Sequence, residues 1–540
     1  MTHDYKIRTS LIFFVFCLLY LLILFNLYSI QIKQRAFFAD LANKQYHVTV
    51  TTMPPRAEIL DRLGNPLAVN QDSLSAFILP KEIKDRKKLI SFLKKYFPQA
   101  VDRLKKAEGH FMYIKRKLTP DQVELIQKSG LEDIFLLKEP SRYYPLASAG
   151  AITGITDIDN VGMFGIELLH NNTLAGKAST HMLDKDARSG HFYFKKETKV
   201  EGHDGAPIQL TIDSDLQFLA HEELKNTVEK FEAKEGSIII LNPANGEILA
   251  MTSYPNFDPN DSTKINMELT KNKLVTDVYE PGSIIKVFLA LAALEEGVVT
   301  ADELIDCENI KIGSVNGIPF STVHPLGIAS FETVIAESNN FGVAKVALRL
   351  GPKLYDHYKR LGFGKKTSLG WPGEQPGFVN PPKKWSRGSV IVLSFGYEIT
   401  SSLLQLAQAF SVIASNGYLV EPKLLLTAPE KKSAKPIYSA KTIATMRNIL
   451  EKAIEEGTGQ YARIKGYRVM GKTGTAKLAQ NGKYTDHLTY SFAGVVEKGD
   501  YKRVIVTFVK DSPHKVYAAT VAAPLFEKVA EKVLIHDKII

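Results

Sequence analysis

Ser283 and Lys286 lie three residues apart where the sequence indicates that a helix begins. Pro281 and Gly282 interrupt the preceding structure, and the mostly apolar run 284–294 follows without another helix breaker. This spacing would place the hydroxyl and the amine on one helix face, one turn apart. A neutral lysine can accept the hydroxyl proton, and a helix N-terminus favours developing negative charge. The pattern therefore predicts an activated serine nucleophile.

The Ser-x-x-Lys pattern is too short to identify a nucleophile by itself. In a chain of this composition about three matches are expected by chance. Three are present: Ser91/Lys94, Ser283/Lys286 and Ser512/Lys515. No helix-start signal directly precedes the first pair, and a proline directly follows the serine of the third. Only the middle pair lies at a predicted helix start.

Two further motifs follow Ser283 along the chain. Ser338-Asn339-Asn340 lies between a helical stretch and residues 341–343, and Lys472-Thr473-Gly474-Thr475 lies in the strand-like stretch 469–476. Separately they are weak signals, because serine and asparagine are common in turns. A glycine inside a strand often marks the close approach of a ligand or of another backbone segment. Together, S-x-x-K, S-x-N and K-T-G form the signature of serine penicillin-recognising acyl transferases.

The chain resembles the class B, monofunctional penicillin-binding proteins, which are peptidoglycan D,D-transpeptidases. Residues 56–64 and 162–167 resemble the pedestal motifs of that class. Further similar blocks occur at residues 210–213, 245–251, 257–260, 400–408, 490–494 and 522–526. The resemblance covers nearly the whole chain.

The resemblance implies a role for each residue of the first two motifs. Ser283 would attack the penultimate carbonyl of a stem peptide ending in D-Ala-D-Ala, release D-Ala and form an acyl-enzyme. Lys286 would accept the proton, provided that burial and a nearby cation lower its pKa. Ser338 would pass a proton to the leaving amine, and the Asn340 amide would bridge the lysine and the substrate. An amine from a neighbouring stem peptide would then form the cross-link.

The third motif would hold the donor peptide. Lys472 would offer a positive charge to the terminal carboxylate, assisted by the hydroxyls of Thr473 and Thr475. Gly474 would let the substrate lie alongside the strand. The backbone N–H groups of Ser283 and Thr475 would form the oxyanion hole.

Residues 11–30 are an almost unbroken apolar run, long enough to span a bilayer. The following residues offer no clear small-residue cleavage site, so we expect an uncleaved single-pass anchor. Lys6 and Arg8 before the run nearly balance Lys33 and Arg35 after it, so charge does not set the orientation. The expected reaction sets the orientation instead, because an extracytoplasmic substrate places the rest of the chain on the periplasmic or outer side of the cytoplasmic membrane.

The strand and helix signals predict an α+β protein. Hairpin signals at 237–251 and 490–509, with helices at 214–231 and 521–535, indicate an antiparallel sheet flanked by helices. With the resemblance, we expect a single transmembrane helix, an elongated pedestal domain and then a transpeptidase domain. The expected bounds are a tail at 1–10, an anchor at 11–30, a pedestal of dimerisation type at 31–204 and a transpeptidase domain at 205–540.

The composition limits which other ligands and partners we expect. A net charge of +10 could favour nucleic acid, but no basic stretch with interleaved aromatic residues supports that partner. The two cysteines, Cys17 and Cys307, are too few for a disulfide framework. His221 lacks the second histidine of a zinc-binding helix, so we expect neither a metal nor a cofactor. The expected partners are stem peptides, β-lactams, the membrane, a membrane glycosyltransferase and divisome proteins.

Several functional alternatives remain open. The motifs at 338–343, 362–364 and 371–374 resemble septal enzymes more than elongation-type ones. A D,D-carboxypeptidase or a β-lactamase-like hydrolase is the second possibility, although β-lactamases are small and usually lack a pedestal. A non-catalytic β-lactam sensor or divisome scaffold is the third. The pedestal shows no catalytic acidic motif of a glycosyltransferase.

Overall fold

The computed structural model describes residues 2–107, 111–185, 192–261, 265–427, 435–480, 483–514 and 516–539. The chain divides into two compact units. The first comprises residues 1–56 and 175–206, and the second comprises residues 57–174 and 207–540.

The helices carry the labels used below. They are α1 Thr2–Tyr28, α2 Arg35–Tyr46, α3 Arg86–Tyr96, α4 Pro98–Lys105, α5 Pro120–Ser129, α6 Gly150–Thr153, α7 Gly165–Leu169, α8 Asn171–Ala175, α9 Ser214–Lys230, α10 Met267–Thr270, α11 Lys273–Thr276, α12 Ile285–Glu295, α13 Phe331–Ala336, α14 Asn340–Leu350, α15 Lys353–Arg360, α16 Ser389–Leu393, α17 Leu403–Ala414, α18 Ala440–Glu455 and α19 Ala518–His536.

The strands are numbered in the same way. They are β1 His47–Thr52, β2 Ile59–Leu60, β3 Pro66–Ile78, β4 Met112–Lys115, β5 Phe135–Tyr143, β6 Ser179–Lys185, β7 Phe192–Val200, β8 Ile208–Gln209, β9 Glu235–Leu241, β10 Ile248–Tyr254, β11 Leu304–Asp306, β12 Ile312–Val315, β13 Ile318–Ser321, β14 Ile328–Ser330, β15 Phe378–Val379, β16 Ile399–Thr400, β17 Arg468–Gln480, β18 Lys483–Lys498 and β19 Tyr501–Lys510.

The first unit contains the apolar N-terminal helix and a three-stranded sheet. The apolar helical segment runs from Tyr5 to Lys33, and none of its most apolar 18-residue window is buried. A helix of this length and composition that exposes its apolar side chains is suited to a bilayer. Strands β1, β6 and β7 pair antiparallel in that order.

The N-terminal part of the second unit is built on β3. This strand pairs antiparallel with β2, β4 and β5, and β2 pairs parallel with β8. Helices α3, α4 and α5 contribute buried side chains to a separate apolar cluster with Ala76 and Ile78 of β3. Away from that cluster, Arg142 and Glu167 form a buried ion pair at 2.7 Å.

A five-stranded sheet in the order β10-β9-β19-β18-β17 forms the centre of the second unit, and its pairs are antiparallel. Alternate residues of β9 pack on opposite faces, as the two-residue period of a strand requires. Ile238 and Ile240 join the apolar cluster that includes α9 and α19, whereas Ile239 and Leu241 join the one that includes α12 and α17. Strand β17, which carries Lys472, lies at the edge of this sheet.

The predicted fold class is confirmed. The hairpin expected at 237–251 is β9–β10, and the one expected at 490–509 is β18–β19. The helices expected at 214–231 and 521–535 are α9 and α19. The strands extend beyond their predicted ends, because β17 continues to Gln480 and β18 begins at Lys483, so that the two form one long hairpin.

Candidate active site

Ser283 lies in a single 3₁₀ turn, Gly282–Ile284, that leads directly into α12. Gly282 adopts a left-handed φ of 54°, and a Cβ there would lie 2.9 Å from the carbonyl oxygen of Thr475. A side chain at position 282 would therefore be strained and would push the turn away from β17. The serine itself is half-buried, in a turn that lies against β17 at the edge of the sheet.

Lys286 is 0% exposed and is the one charged residue in α12 before its final Glu295. The other residues of this helix from 285 to 293 are apolar and buried, as expected of a central core helix. The Lys286 ammonium donates to the carbonyl oxygen of Ser338 at 2.7 Å, to the Ser338 hydroxyl at 3.1 Å and to the Asn340 amide oxygen at 2.5 Å. Its three hydrogen-bond donors thus meet the second motif, and its nitrogen lies 5.9 Å from the centre of the Phe395 ring.

Both lysines of the site lack a carboxylate partner in contact among the described residues, and both have lowered pKa values. Burial, followed by the positive charge of Lys472, holds the pKa of Lys286 well below that of an exposed lysine. Burial also lowers the pKa of Lys472 to about 7, while the more distant Glu337 opposes the shift. The neutral amine that a base requires is therefore accessible at Lys286.

The loop of the second motif is held by unusual backbone geometry and by buried amides. Ser338 adopts a φ of 58°, a left-handed conformation uncommon for serine. Asn339 is 0% exposed, caps α14 by accepting from the Gly342 N–H at 3.0 Å, and donates to the His324 carbonyl at 3.0 Å. Because the adjacent asparagine is fixed in this way, the Ser338 and Asn340 side chains are presented together to Lys286.

Asn340 is held on both sides. Its side-chain N–H donates to the Ser321 carbonyl at 2.6 Å, and its backbone N–H donates to the Thr322 hydroxyl at 3.2 Å. Since the amide nitrogen is engaged by Ser321, the amide oxygen is directed to Lys286. This orientation makes Asn340 a hydrogen-bond acceptor for the lysine.

The third motif lies on β17 with Lys472 in its interior. Lys472 is 1% exposed, and its ammonium lies 3.3 Å from the Thr458 hydroxyl and 3.4 Å from the Thr473 hydroxyl. The two threonine hydroxyls lie 3.0 Å apart. This arrangement is a small polar nest around a cation, which suits a carboxylate ligand.

Gly474 is required by packing in addition to any contact with substrate. A Cβ at this position would lie 2.7 Å from the Ser491 hydroxyl oxygen and 2.9 Å from the Pro281 carbonyl oxygen. The glycine therefore lets β17 approach the turn that carries Ser283. The Thr475 hydroxyl accepts from the Ala518 N–H at 3.2 Å, which leaves its own proton for a ligand.

The structure brings Lys286, Ser338 and Asn340 into direct contact and places Lys472 near enough to influence Lys286. The other two Ser-x-x-Lys matches do not take part. Ser91 and Lys94 lie on α3, and the Ser512 hydroxyl donates to the Phe231 carbonyl at 2.7 Å. Lys515 lies outside the described residues.

Sequence reasoning missed several residues around the site. Thr458, in a Gly-Thr-Gly turn after α18, supplies a hydroxyl to the nest around Lys472, and Phe395 faces Lys286. A Cβ at Gly396 would lie 2.3 Å from the Gly282 carbonyl oxygen. The Glu280 carboxylate accepts from the Tyr484 hydroxyl at 3.0 Å. Isolated residues of these types occur in ordinary turns and cores, so the sequence gives little reason to single them out. Only the glycines next to Thr458 and Phe395 were a usable signal of close packing.

Comparison with known proteins identifies the family of this chain. The penicillin-binding protein transpeptidase domain matches residues 236–531, and the penicillin-binding protein dimerisation domain matches residues 51–210. The chain belongs to the class B penicillin-binding proteins. The matched transpeptidase domain contains all three motifs, and the central sheet with its helices is the fold of that domain.

Similar proteins extend over most of the chain. The probable peptidoglycan D,D-transpeptidase PbpC of Pseudomonas aeruginosa is 31% identical, covering 97% of this chain and 94% of the relative. Peptidoglycan D,D-transpeptidase FtsI of Escherichia coli K12 is also 31% identical, covering 89% and 83% respectively. The structure of penicillin-binding protein 3 from Mycobacterium tuberculosis with aztreonam has a TM-score of 0.71 at 22% identity, covering 91% and 98%. At that identity the last comparison supports the fold alone.

Proposed function

We propose that this protein is a peptidoglycan D,D-transpeptidase that joins stem peptides through an acyl-enzyme on Ser283. The observation that carries the proposal is the contact of the buried Lys286 with Ser338 and Asn340. A buried lysine in contact with no carboxylate is a poor structural ion but a suitable base. The matched transpeptidase domain and the D,D-transpeptidase names of the relatives agree with this chemistry.

In the first step Ser283 Oγ attacks the penultimate carbonyl carbon of a donor ending in D-Ala-D-Ala. Neutral Lys286 takes the hydroxyl proton. A neutral amine keeps two N–H donors and one lone pair, so one of its three present contacts must be given up when the lone pair turns to Ser283. The new bond is Oγ–C, and the C–N bond to the terminal D-Ala breaks.

The leaving amine needs a proton as that bond breaks. The Ser338 hydroxyl lies 3.1 Å from the Lys286 nitrogen and can relay the proton from the lysine to the amine. Asn340 holds the lysine and offers its amide to the peptide bond of the donor. In the second step an amine from a neighbouring stem peptide attacks the acyl carbon, its proton returns through the same groups, and Ser283 is released.

The edge strand supplies the donor site. Among the described residues, strand β17 has a paired neighbour on one side only, so an extended donor peptide can lie along its other side. Lys472, with Thr473 and Thr475, binds the terminal carboxylate, and Gly474 allows close approach. The backbone N–H groups of Ser283 and Thr475 stabilise the oxyanion, and such donors usually make the largest electrostatic contribution to the rate of acyl transfer.

The location follows from this chemistry. The N-terminal apolar helix has the length of a single-pass anchor. With an extracytoplasmic substrate, the catalytic domain faces the periplasmic side of the cytoplasmic membrane. We propose the anchor, pedestal and transpeptidase segments at residues 11–30, 31–204 and 205–540.

The motifs at 338–343, 362–364 and 371–374 favour a septal rather than an elongation-type role. A septal enzyme would work with a membrane glycosyltransferase and divisome proteins. Complementation tests this part of the proposal. The gene should support growth of a strain depleted of its septal transpeptidase, and support of an elongation-type depletion instead would assign the other role.

The chemical proposal is tested by intact mass after incubation with a penicillin, followed by peptide mapping. One adduct on Ser283 is expected, and an adduct on any other residue would overturn the assignment. The lifetime of the acyl-enzyme separates the alternatives. Slow loss in water with faster transfer to an amine indicates a transpeptidase, whereas rapid penicillin turnover indicates a hydrolase. A Ser283→Ala variant that still supports growth would indicate a scaffold or sensor.

A further inference from the structure

The turn Gly457-Thr458-Gly459 follows α18 and contacts the helix that leads into the second motif and the strand that carries the third. The Thr458 backbone N–H donates to the Ala336 carbonyl oxygen at 3.3 Å, and a Cβ on Gly457 would lie 2.5 Å from the same oxygen. Ala336 is the last residue of α13 and precedes Ser338 by two positions. Close backbone packing therefore holds Thr458 against the end of α13.

The Thr458 side chain reaches the third motif from this backbone. Its hydroxyl oxygen lies 3.0 Å from the Thr473 hydroxyl oxygen, 3.3 Å from the Lys472 nitrogen and 3.5 Å from the Ala336 carbonyl oxygen. The Thr473 hydroxyl oxygen lies 3.4 Å from the same lysine nitrogen. Each hydroxyl has one proton and two lone pairs, so the direction of the two protons decides which acceptors are satisfied.

The two hydroxyl protons can be arranged in two ways. In the first, Thr473 donates to Thr458, and Thr458 donates to the Ala336 carbonyl. In the second, Thr458 donates to Thr473, and the Thr473 proton can be given to a bound acceptor. Lys472 can donate to both oxygens in either arrangement, and the Ala336 carbonyl keeps the Thr458 backbone N–H when the hydroxyl turns away. The second arrangement is therefore complete once a ligand supplies the acceptor.

We propose that Thr458 is a positioning residue for the donor carboxylate, an inference that rests on the proposed function. When the carboxylate binds, the Thr458 hydroxyl changes its acceptor from the Ala336 carbonyl to the Thr473 oxygen, and Thr473 donates its own proton to the carboxylate. Because the Thr473 oxygen then accepts from both Thr458 and Lys472, its O–H group is more strongly polarised and is a better donor. The change moves hydrogen bonds only, and no covalent bond forms or breaks.

This role makes the site selective for an anionic donor. A hydrogen bond to a carboxylate is roughly twice as strong as one to a neutral oxygen, so the polarised Thr473 hydroxyl contributes more to binding of an acid than of its ester. Thr473 is 8% exposed and Lys472 is 1% exposed, so the threonine is the more accessible of the two donors. Thr458 acts through Thr473 and does not itself need to touch the ligand.

Acylation by a penicillin and by its methyl ester tests this inference, with the full chain in detergent micelles. Thr458→Val keeps the shape of the side chain and the backbone bond to Ala336 but removes the hydroxyl. The second-order rate constant of acylation should fall about tenfold or more for the acid and less than about threefold for the ester. Thr458→Ala, which needs less space, should change the acid-to-ester ratio in the same direction. Thr458→Ser, which keeps a hydroxyl, should restore most of the rate with the acid.

A double-mutant cycle separates this role from general packing. Because Thr458 acts through Thr473, adding Thr458→Val to Thr473→Val should lower the rate constant for the acid by less than about a further twofold. Thr300→Val is the matched control, because it alters an exposed threonine whose hydroxyl donates to Asp302 at 2.7 Å. That variant should be acylated as the wild type is.

Three results would overturn the inference. They are an equal loss for acid and ester in both Thr458→Val and Thr458→Ala, fully additive losses in the double variant, and unchanged acylation by the acid in Thr458→Val. Failure of penicillin to label Ser283 in the wild type would instead refute the proposed function. A wild type that is labelled normally, with variants that give any of the three results, refutes the role of Thr458 alone.

Discussion

The Tyr484 hydroxyl donates a hydrogen bond to the Glu280 carboxylate at 3.0 Å, and this bond joins the β17–β18 hairpin to the turn before Ser283. The Tyr397 ring packs against Tyr484 with centroids 5.3 Å apart. The second carboxylate oxygen of Glu280 is buried without a partner among the described residues. The Tyr484 bond is thus an important restraint on this carboxylate.

Tyr484→Phe should therefore loosen the turn while retaining the aromatic contact. We expect penicillin acylation to slow about three- to tenfold and the free energy of unfolding to fall by about 1 kcal/mol, the net value of one hydrogen bond. Stopped-flow acylation and thermal unfolding measure the two effects. Tyr461→Phe, which alters an exposed tyrosine, is the control. Unchanged acylation in Tyr484→Phe would show that the hairpin does not support the turn.

Glu280 should make stability depend on pH. Burial raises the pKa of Glu280 above its usual value, so the folded state favours the protonated acid. Its contribution is fully present below pH 4.5 and is lost as pH rises through the raised pKa. Glu280→Gln should therefore raise Tm relative to the wild type at pH 7–8, and the difference should shrink near pH 4.5. A Tm difference independent of pH would contradict this assignment.

Asn340→Asp should test the base. The substitution keeps the shape of the side chain but places a carboxylate at the position of an oxygen 2.5 Å from Lys286. The negative charge should raise the pKa of the lysine and keep it protonated. We expect acylation at pH 7 to fall at least about 100-fold, with partial recovery at higher pH. Asn316→Asp is the control, and a parallel loss at every pH would indicate misfolding instead.

Lys472→Met should move the pH profile in the same direction as Asn340→Asp, but for a different reason. The charge of Lys472 is the second cause, after burial, of the low pKa of Lys286, so its removal should raise that pKa. A β-lactam ester has no free carboxylate for Lys472 to bind, so it isolates the effect on the base. The acidic limb of the pH–rate profile for acylation by this ester should shift to higher pH. With an ordinary penicillin, binding to the wild type should weaken above about pH 7, where Lys472 loses its proton. Unchanged limbs in the variant would refute the coupling.

Gly396→Ala should damage the site through sterics alone. Gly396 has a φ of 91°, and its added Cβ would lie 2.3 Å from the Gly282 carbonyl oxygen. We expect a loss of about 2–4 kcal/mol in the free energy of unfolding and a large loss of acylation. Gly370→Ala is a matched control, because it has a φ of 65° with nothing within 4 Å of the new Cβ. That variant should lose only about 1–2 kcal/mol of stability, because its alanine is strained by the positive φ.

The sequence was sufficient where short-range patterns carry the signal. The apolar run after Gly282 predicted α12, and the hairpin signal at 237–251 predicted the β9–β10 hairpin. The order of the three motifs is specific to one family, and it predicted that Ser338 and Asn340 lie beside Lys286, where the structure places them. The 3₁₀ turn at Ser283 was not distinguished from an α-helical turn, since the two patterns differ little over three residues.

Long-range contacts could not be predicted in the same way. Thr458 meets Lys472 across 14 residues, and Tyr484 meets Glu280 across 204 residues. Neither pair leaves a periodic pattern, because each depends on how separate elements pack. The burial of Asn272, whose amide oxygen has no hydrogen-bond partner among the described residues, is likewise a property of the packed core and not of the local sequence.

The burial of Lys286 also sets a limit on how stable this protein can become. An amine buried inside an otherwise apolar helix opposes folding, and Lys286→Met would replace it with a side chain of similar length that favours that environment. Such a variant would withstand more heat while losing its reactive base. Selection for stability alone would therefore remove this lysine, so its presence reflects a compromise in which activity restrains the robustness of the fold.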